Sequence, residues 1–241
     1  MHPFLNSLID FIFPPLCHIC RVFIPDAGAL HICPACRDEI KIVVSPICLI
    51  CGIPFTGIGD DHACGKCLGD QPAFDVARAA LIHEGASRNL IHAFKYNNKT
   101  HLRRPLALLT IELLKDFIKD EKPELILPVP LHIDRLRKRG FNQAVLLGEL
   151  LSREWGIPME RRALLRLRRT EPQVTLSAAE RLNNVKNAFG LSGTVALSGK
   201  RILLLDDVIT TGSTVDECAR IVKKAGASRV SVVTVARAIN L

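Results

Sequence analysis

The sequence predicts an α/β fold, in which a parallel sheet flanked by helices follows a small metal-binding domain. Apolar strand patterns alternate with helical patterns after position 73, which is typical of a parallel sheet with helical crossovers. Eight of the nine cysteines lie between positions 17 and 67. The composition, 48% apolar and 23% charged over 241 residues, supports a hydrophobic core and excludes disordered, collagen-like and coiled-coil proteins. We assign residues 1–72 to the cysteine-rich domain and residues 73–241 to the α/β domain.

The cysteines of the first domain form an internal repeat. The pattern C-x2-C-x12-C-x2-C occurs twice, with its members at Cys17, Cys20, Cys33, Cys36, Cys48, Cys51, Cys64 and Cys67. Two C-x-x-C pairs supply the four thiolates that a tetrahedral structural zinc ion requires. The repeat therefore predicts a double zinc ribbon that binds two zinc ions, each through four cysteines. The ligands could be grouped sequentially or in a cross-braced arrangement.

Disulfides and an iron–sulfur cluster are the alternative uses of these cysteines. Disulfides need an oxidising compartment, whereas the N-terminal segment lacks the positive region of a secretory signal and is interrupted by Asp10. A ferredoxin-like cluster usually has a C-x2-C-x2-C run, which is absent. We therefore expect a cytoplasmic zinc protein. We also expect chelation to unfold residues 17–67 and to leave the 73–241 sheet largely intact, with no zinc in the sheet's core.

Periodicity and turn residues place the other elements. Apolar residues at 4–13 predict a helix that ends at Pro14 and docks on protein. The predicted strands are 76–83, 125–130, 201–205 and 229–236, and the predicted helices are 87–94, 100–119, 142–155, 177–189 and 213–224. Cys218 is predicted to be a small buried apolar side chain. No apolar run reaches the length of a membrane span.

The positive charge is concentrated in the second domain. The formal net charge is +8, with −3 in residues 1–72 and +11 in residues 73–241. Such an excess indicates binding of phosphates, nucleic acid or an acidic partner. The arginines gather in a predicted basic loop at 135–139 and in a second stretch at 161–171. The acidic ribbon domain is instead interpreted as structural or as a docking surface for a protein partner.

Residues 202–214 carry the strongest chemical signal. Four apolar residues predict a buried strand, which leads through Asp206 and Asp207 into a hydroxyl-rich loop and a helix. Ligands bind at the carboxyl ends of strands in open α/β sheets, and a helix N-terminus suits a phosphate. The carboxylates suit sugar hydroxyls or Mg²⁺. The segment therefore predicts a ribose phosphate site. The phosphate would be held by Thr210, Thr211, Gly212, Ser213 and Thr214.

This segment resembles the phosphoribosyl pyrophosphate (PRPP) motif of type I phosphoribosyltransferases. Further segments resemble the ComF family: Phe94-Lys95-Tyr96, Pro128–His132, Arg135–Ala144 and Arg169–Phe189. A double ribbon of cysteines before a transferase-like domain matches the same family. The resemblance implies a type I phosphoribosyltransferase-like parallel sheet. It also implies a link to competence, the handling of single-stranded DNA during uptake.

The resemblance implies roles for individual residues in binding PRPP together with Mg²⁺. Asp206 and Asp207 would hold the ribose hydroxyls, and the loop at 210–214 would hold the 5′-phosphate. The pyrophosphate would lie at Pro130, Leu131 and His132, with Arg135, Arg137 and Arg139 adding to the clamp.

The stretch 166–177 matches the flexible catalytic loop of those enzymes. Arg168 and Arg169 are the candidates in it for clamping the leaving pyrophosphate. Lys95 is a weaker candidate than these arginines, because it follows an apolar helix along which its side chain can lie instead. His132 is the one histidine that we expect near the site, and no proton transfer is assigned to it.

Three functions remain open at this level. The first is a Mg²⁺-dependent phosphoribosyltransferase, whose acceptor the sequence does not reveal. The second is a single-stranded DNA-binding protein on a transferase scaffold, although few aromatic residues lie near the basic ones. The third is a PRPP sensor that binds without transfer and docks a partner through its ribbons.

Overall fold

The computed structural model describes residues 14–25, 27–96, 99–168, 186–193 and 195–239. Helices lie at α1 (Pro34–Asp38), α2 (Gly65–Gly69), α3 (Gly85–Tyr96), α4 (Arg103–Glu121), α5 (Ile133–Arg139), α6 (Gln143–Trp155) and α7 (Ser213–Lys224). Strands lie at β1 (Val76–Ile82), β2 (Leu125–Pro128), β3 (Leu164–Arg166), β4 (Phe189–Leu191), β5 (Arg201–Ile209) and β6 (Arg229–Arg237). The predicted helix at 4–13, and residues 177–185 of the predicted helix at 177–189, lie outside the described residues.

Four parallel strands form the central sheet in the order β1-β6-β5-β2. β5 and β6 lie in the middle, and nearly every residue of β6 is buried. Continuous apolar strands of this kind are expected where both faces of a sheet are covered. The predicted parallel sheet with flanking helices is confirmed. Within the described part of the chain, no helix has both the length and the hydropathy needed to cross a membrane.

Alternate side chains of the central strands enter two different hydrophobic clusters. On β5, Leu203 and Leu205 pack with residues of α3, α4 and α6. Ile202 and Leu204 point the other way and pack with α7. Cys218 on α7 is fully buried in this second cluster, as its apolar surroundings in the sequence predicted. Both faces of β5 are therefore covered by packed side chains.

The cysteine-rich segment lies along the outer edge of β1. Ile42 forms an antiparallel bridge with Leu81, and the Ala77 N–H donates to the Ile50 carbonyl at 2.7 Å. Gly52 approaches β1 so closely that a Cβ there would lie 2.4 Å from the Ala77 carbonyl oxygen. The segment thus covers a strand edge that would otherwise be open to pairing with another chain.

The cysteine-rich segment also shares both hydrophobic clusters with the sheet. Cysteines of the first repeat join the cluster that contains Leu203, and cysteines of the second join the cluster that contains Ile202. The expectation that the sheet's core contains no zinc ligands is therefore wrong. The physical reason is size, because a segment of this length cannot close a core of its own and buries its apolar side against the sheet.

The predicted basic loop at 135–139 is a helix, α5. His132 caps its start, since its Nδ1 accepts the Asp134 N–H at 3.3 Å. Gly140 ends it in the left-handed conformation, with φ of 82°. These two capping signals outweigh the charge repulsion among the basic residues.

Two other boundaries differ from the predictions. β5 continues to Ile209 instead of ending at Leu205, because β6 pairs with it along its whole length, with Asp206 opposite Thr234. Arg166 pairs antiparallel with Phe189, so the ends of the stretch between them form the hairpin-like pair β3 and β4. The sequence pattern had assigned Phe189 to a helix. Cross-strand pairing, which local periodicity does not report, determines both results.

Candidate ligand-binding site and metal centres

The eight cysteines form two separate four-sulfur clusters. The Sγ atoms of Cys17, Cys20, Cys33 and Cys36 all lie within 4.8 Å of one another, and so do those of Cys48, Cys51, Cys64 and Cys67. In each cluster the third cysteine caps a short helix, α1 or α2, and the fourth lies within that helix. The structure thus groups the cysteines sequentially and excludes the cross-braced alternative.

Backbone N–H groups point at the sulfurs of each cluster. Cys17 Sγ accepts from the N–H groups of Ile19 and Cys33, both at 3.4 Å, and Cys48 Sγ is surrounded in the same way. Burial raises the pKa of Cys17, but these backbone donors outweigh it and lower the pKa to about 6. Thiolates in a four-sulfur set at this spacing suit Zn²⁺. The residues present therefore fit two structural zinc ions.

Two adjacent carboxylates, Asp206 and Asp207, lie near the carboxyl end of β5, shortly before its last residue, Ile209. Burial and the neighbouring Asp207 raise the pKa of Asp206 to about 7, and Lys95 acts against this rise. Lys95 Nζ lies 2.9 Å from Asp207 Oδ1, and the two side chains are only 19% and 11% exposed. The Asp207 N–H donates to Asp206 Oδ1 at 2.9 Å. The pair can accept hydrogen bonds from sugar hydroxyls, and its oxygens are ligands of the kind Mg²⁺ prefers.

The loop after β5 leads directly into α7. Gly212 has φ of 86°, a conformation that a side chain would strain, and it immediately precedes the first residue of α7. The hydroxyls of Thr211 and Ser213 lie 2.9 Å apart, and Thr210 and Thr214 are half-buried. α7 directs the positive end of its dipole at this loop. Hydroxyls, N-terminal N–H groups and the dipole together suit a phosphate.

The segment after β2 lies beside the carboxylate pair. β2 pairs in parallel with β5, and the Val129 N–H donates to the Leu205 carbonyl at 2.8 Å. The predicted pyrophosphate loop, Pro130, Leu131 and His132, follows directly. This loop therefore starts from the same edge of the sheet as Asp206.

The arginines of α5 have different environments. Arg139 Nη1 donates to Gln143 Oε1 at 2.6 Å, and its guanidinium lies 5.0 Å from the centre of the Tyr96 ring. Arg137 is exposed, and Arg135 is half-buried. Arg139 is therefore held against α3, whereas Arg137 faces solvent.

Arg166 on β3 joins these groups to the carboxylates. Burial and the nearby Arg135 lower its pKa to about 10, Arg168 adds to this effect, and Asp206 opposes it. The charges of Arg135, Arg168 and Asp206 therefore all act on Arg166. Arg168 is exposed and donates to the Lys186 carbonyl at 2.9 Å. Arg169, the other candidate catalytic arginine, lies outside the described residues.

Sequence reasoning missed several groups at this edge. Lys95, which ranked as a weaker candidate than the arginines, is the counter-ion of Asp207. His132 is not the one histidine near the site. His83 follows β1, and burial and the charge of Lys95 lower its pKa. Lys66 of the second cysteine repeat donates to the Thr211 carbonyl at 2.8 Å. The Phe94-Lys95-Tyr96 segment carried a signal for Lys95, whereas nothing local pointed to Lys66.

Comparison with known proteins agrees with both halves of this description. A double zinc ribbon domain matches residues 8–68, and a phosphoribosyl transferase domain matches residues 142–240. Competence protein F of Haemophilus influenzae is 37% identical over 176 residues, which cover 71% of this chain and 77% of that protein. The chain belongs to the ComF family.

Other relatives share a smaller part of this ComF-family chain. DNA utilization protein YhgH of Escherichia coli K12 is 38% identical over 146 residues, covering 59% of this chain and 63% of that protein. This chain therefore spans less than two thirds of the length of YhgH. Among solved structures, purine phosphoribosyltransferase from Pyrococcus horikoshii is 19% identical with a TM-score of 0.37, covering 56% of this chain and 84% of that chain.

The family match confirms the resemblance drawn from the sequence. It also confirms the fold class, a phosphoribosyltransferase-like parallel sheet preceded by a double zinc ribbon. Each four-sulfur cluster coincides with one half of the matched ribbon domain.

Proposed function

We propose that this ComF-family protein binds Mg²⁺–PRPP, or a related ribose phosphate, at the carboxyl end of β5 and acts in the use of imported DNA. One observation carries the proposal: the Asp206–Asp207 pair, with Lys95 as the counter-ion of Asp207, lies near the end of strand β5, before the loop that leads to α7, and that loop suits a phosphate. The acidic groups that suit a sugar thus lie on β5, and the positive helix end that suits a phosphate follows after a short loop.

Different residues of the site bind the ribose, the 5′-phosphate and the pyrophosphate of the ligand. Asp206 and Asp207 hold the ribose hydroxyls, and the loop at 210–214 holds the 5′-phosphate. The pyrophosphate lies against the segment after β2 and the arginine cluster. The cluster and its loop comprise Pro130, Leu131, His132, Arg135, Arg139, Arg168 and Arg169. Mg²⁺ supplies neutralisation of the pyrophosphate charge when it is bound.

Transfer from PRPP requires the arginines to stabilise a leaving pyrophosphate. Arg166 is half-buried at the end of β3, two residues before Arg168, and is the proposed positioning residue of that cluster. Arg168 is exposed at the start of the stretch that matches a catalytic loop, and closure of such a loop excludes water from the reacting carbon. The acceptor is left open, and a PRPP sensor would use the same binding groups without transfer.

The link to DNA rests on the relatives. They are named competence protein F and DNA utilization protein. The +11 charge of residues 73–241 suits a nucleic acid backbone. One structural feature favours direct binding of single-stranded DNA as a second candidate function: Tyr96 is 60% exposed, next to the basic helix α5. The acidic ribbons are the docking surface for a protein partner, and the protein acts in the cytoplasm.

A calorimetric titration tests the ribose phosphate site. The zinc-loaded protein is titrated with Mg²⁺–PRPP beside the Asp206→Asn/Asp207→Asn variant. Asp116→Asn, on an exposed position of α4, is the control. We expect saturable binding by the wild type and the control, and at least about a hundredfold weaker binding by the double variant, since it loses both charged acceptors. Absence of binding by the wild type would refute the proposal.

Pyrophosphate release then separates enzyme from sensor. Binding with release of pyrophosphate in the presence of a candidate acceptor indicates a transferase. Binding that changes the affinity of a partner protein, with no release, indicates a sensor.

A further inference from the structure

We infer that Lys66 of the second zinc ribbon is a positioning residue of the ribose phosphate site, which makes that ribbon one wall of the site. This inference rests on the proposed function and assigns the second ribbon a task beyond stabilising the fold. Lys66 lies between Cys64 and Cys67, two cysteines of the second four-sulfur cluster. Its ammonium reaches across 145 residues of sequence to the carbonyl of Thr211, at 2.8 Å.

The contact orients a peptide group of the phosphate loop. The Thr211–Gly212 peptide is planar and trans, so its carbonyl and its N–H point in opposite directions. When Lys66 holds the Thr211 carbonyl on the ribbon side, the Gly212 N–H is directed away from the ribbon. Gly212 stands at the start of α7 with φ of 86°, a conformation in which its N–H can serve a phosphate.

The same contact makes the electrostatic potential at the loop more positive. A carbonyl oxygen carries partial negative charge and repels a phosphate dianion. The Lys66 ammonium compensates that charge and adds a positive field at the loop where the 5′-phosphate would lie.

The ribbon is anchored so that Lys66 stays in place. Arg237, which is only 5% exposed, donates from Nη1 to the Cys51 carbonyl at 2.6 Å. Arg237 is also the β6 residue opposite Ile209, the last residue of β5 before the loop. Ala73, the first residue after the ribbon domain, is tied to the same region, since its N–H donates to Asp216 Oδ1 in the first turn of α7 at 2.5 Å. The second cluster and the phosphate loop are thus held in one framework.

Substitutions at Lys66 test the inference in the full-length, zinc-loaded protein. Lys66→Met and Lys66→Gln remove the charge, and Lys66→Arg retains it. Lys224→Met is the matched control, because it removes an exposed charge at the opposite end of α7. Each protein is titrated with ribose 5-phosphate and, separately, with inorganic pyrophosphate, and its zinc content is measured.

We expect the two neutral variants to bind ribose 5-phosphate about five- to tenfold more weakly than the wild type. Their affinity for pyrophosphate should change less than about twofold, because Lys66 adjoins the 5′-phosphate loop and not the segment after β2. Lys66→Arg should recover most of the affinity, and Lys224→Met should match the wild type.

Two results would overturn the inference while leaving the proposed function intact. One is wild-type affinity for ribose 5-phosphate in both neutral variants. The other is binding by Lys66→Arg as weak as by Lys66→Met, which would mean that packing rather than charge matters. Failure of the wild type itself to bind both ribose 5-phosphate and Mg²⁺–PRPP would instead remove the proposed function on which the inference rests.

Discussion

Lys95 Nζ lies 2.9 Å from Asp207 Oδ1, so the last turn of α3 supplies the counter-ion for the carboxylate pair at the end of β5. This ion pair joins a helix of the first half of the α/β domain to the strand that carries the candidate site. It also explains how the Asp207 side chain can remain at a largely buried position.

Removal of Lys95 should destabilise the carboxylate pair. We expect Lys95→Met to lower the free energy of unfolding by about 2 kcal/mol at pH 8, because a largely buried charge loses its partner. The pKa of Asp206 should rise further above about 7, since Lys95 acts to lower it. Urea denaturation and carboxyl carbon NMR titration measure the two effects. Lys119→Met, exposed on α4, is the control, and equal behaviour of the two variants would contradict the role of Lys95.

Asp206 should make stability depend on pH. Its pKa is about 7 in the folded protein and 3.8 ordinarily, so the folded state binds the proton more tightly than the unfolded state. Stability contributed by the neutral carboxyl is therefore present below about pH 4 and is lost as the pH rises to about 7. We expect Asp206→Asn, without ligand or Mg²⁺, to be more stable than the wild type at pH 8 by on the order of 2 kcal/mol. The difference should vanish near pH 4.

Chemical denaturation at several pH values checks this dependence. Asp116→Asn, an exposed position, should show the wild-type profile. If the difference in unfolding free energy between Asp206→Asn and the wild type is constant from pH 4 to pH 8, burial does not raise the pKa of Asp206.

Chelation of zinc should loosen the edge of the sheet as well as the ribbons. The cysteines of both clusters share hydrophobic contacts with the sheet, and the Ala77 N–H donates to Ile50 in the second repeat. We expect amides of β1 to lose hydrogen-exchange protection after chelation, whereas Ile126 on β2, at the other side of the sheet, should lose less. Re-addition of zinc should restore both. Unchanged protection in β1 would mean that the edge of the sheet is stable without the zinc-loaded ribbons.

Exposed charges on α5 should contribute to DNA binding without contributing to PRPP binding. Arg137 and Lys138 are exposed, whereas Arg139 is engaged with Gln143 and Tyr96. If both exposed residues contact phosphates, Arg137→Gln/Lys138→Gln should reduce the slope of log K against log salt for a single-stranded oligonucleotide by about 1.4. The affinity for Mg²⁺–PRPP should be unchanged.

Fluorescence anisotropy over a range of salt concentrations measures that slope. Lys115→Gln/Lys119→Gln removes the same charge from the exposed face of α4 and serves as the control. Equal slopes for the two double variants would assign any DNA binding to another surface.

The site residues that could be predicted from the sequence are those whose partners are close to them along the chain. The two C-x-x-C repeats predicted the metal centres, because the spacing of ligands within a ribbon is local. Asp206 and the loop up to Thr214 are consecutive, so their order on strand, loop and helix could be inferred from apolar periodicity. The capping signals of α5 were also local, but the run of basic residues concealed them.

Groups that depend on distant partners could not be placed in this way. Lys95 and Asp207 lie on different elements, and so do Lys66 and Thr211. The pair β3 and β4 likewise requires a strand partner from the far side of an intervening stretch. Such contacts depend on how elements pack, which residue periodicity does not encode.

The amino-acid sequence by itself determined the α/β class, the zinc-binding repeat and the acidic strand end with its phosphate-suited loop. Each of these depends on a pattern of residues that are close together along the chain. Only the tertiary structure decided that Lys95 neutralises Asp207, that the ribbons share the core of the sheet and that Lys66 reaches Thr211. The physical reason is that burial and charge pairing arise between segments that the parallel sheet order β1-β6-β5-β2 brings together.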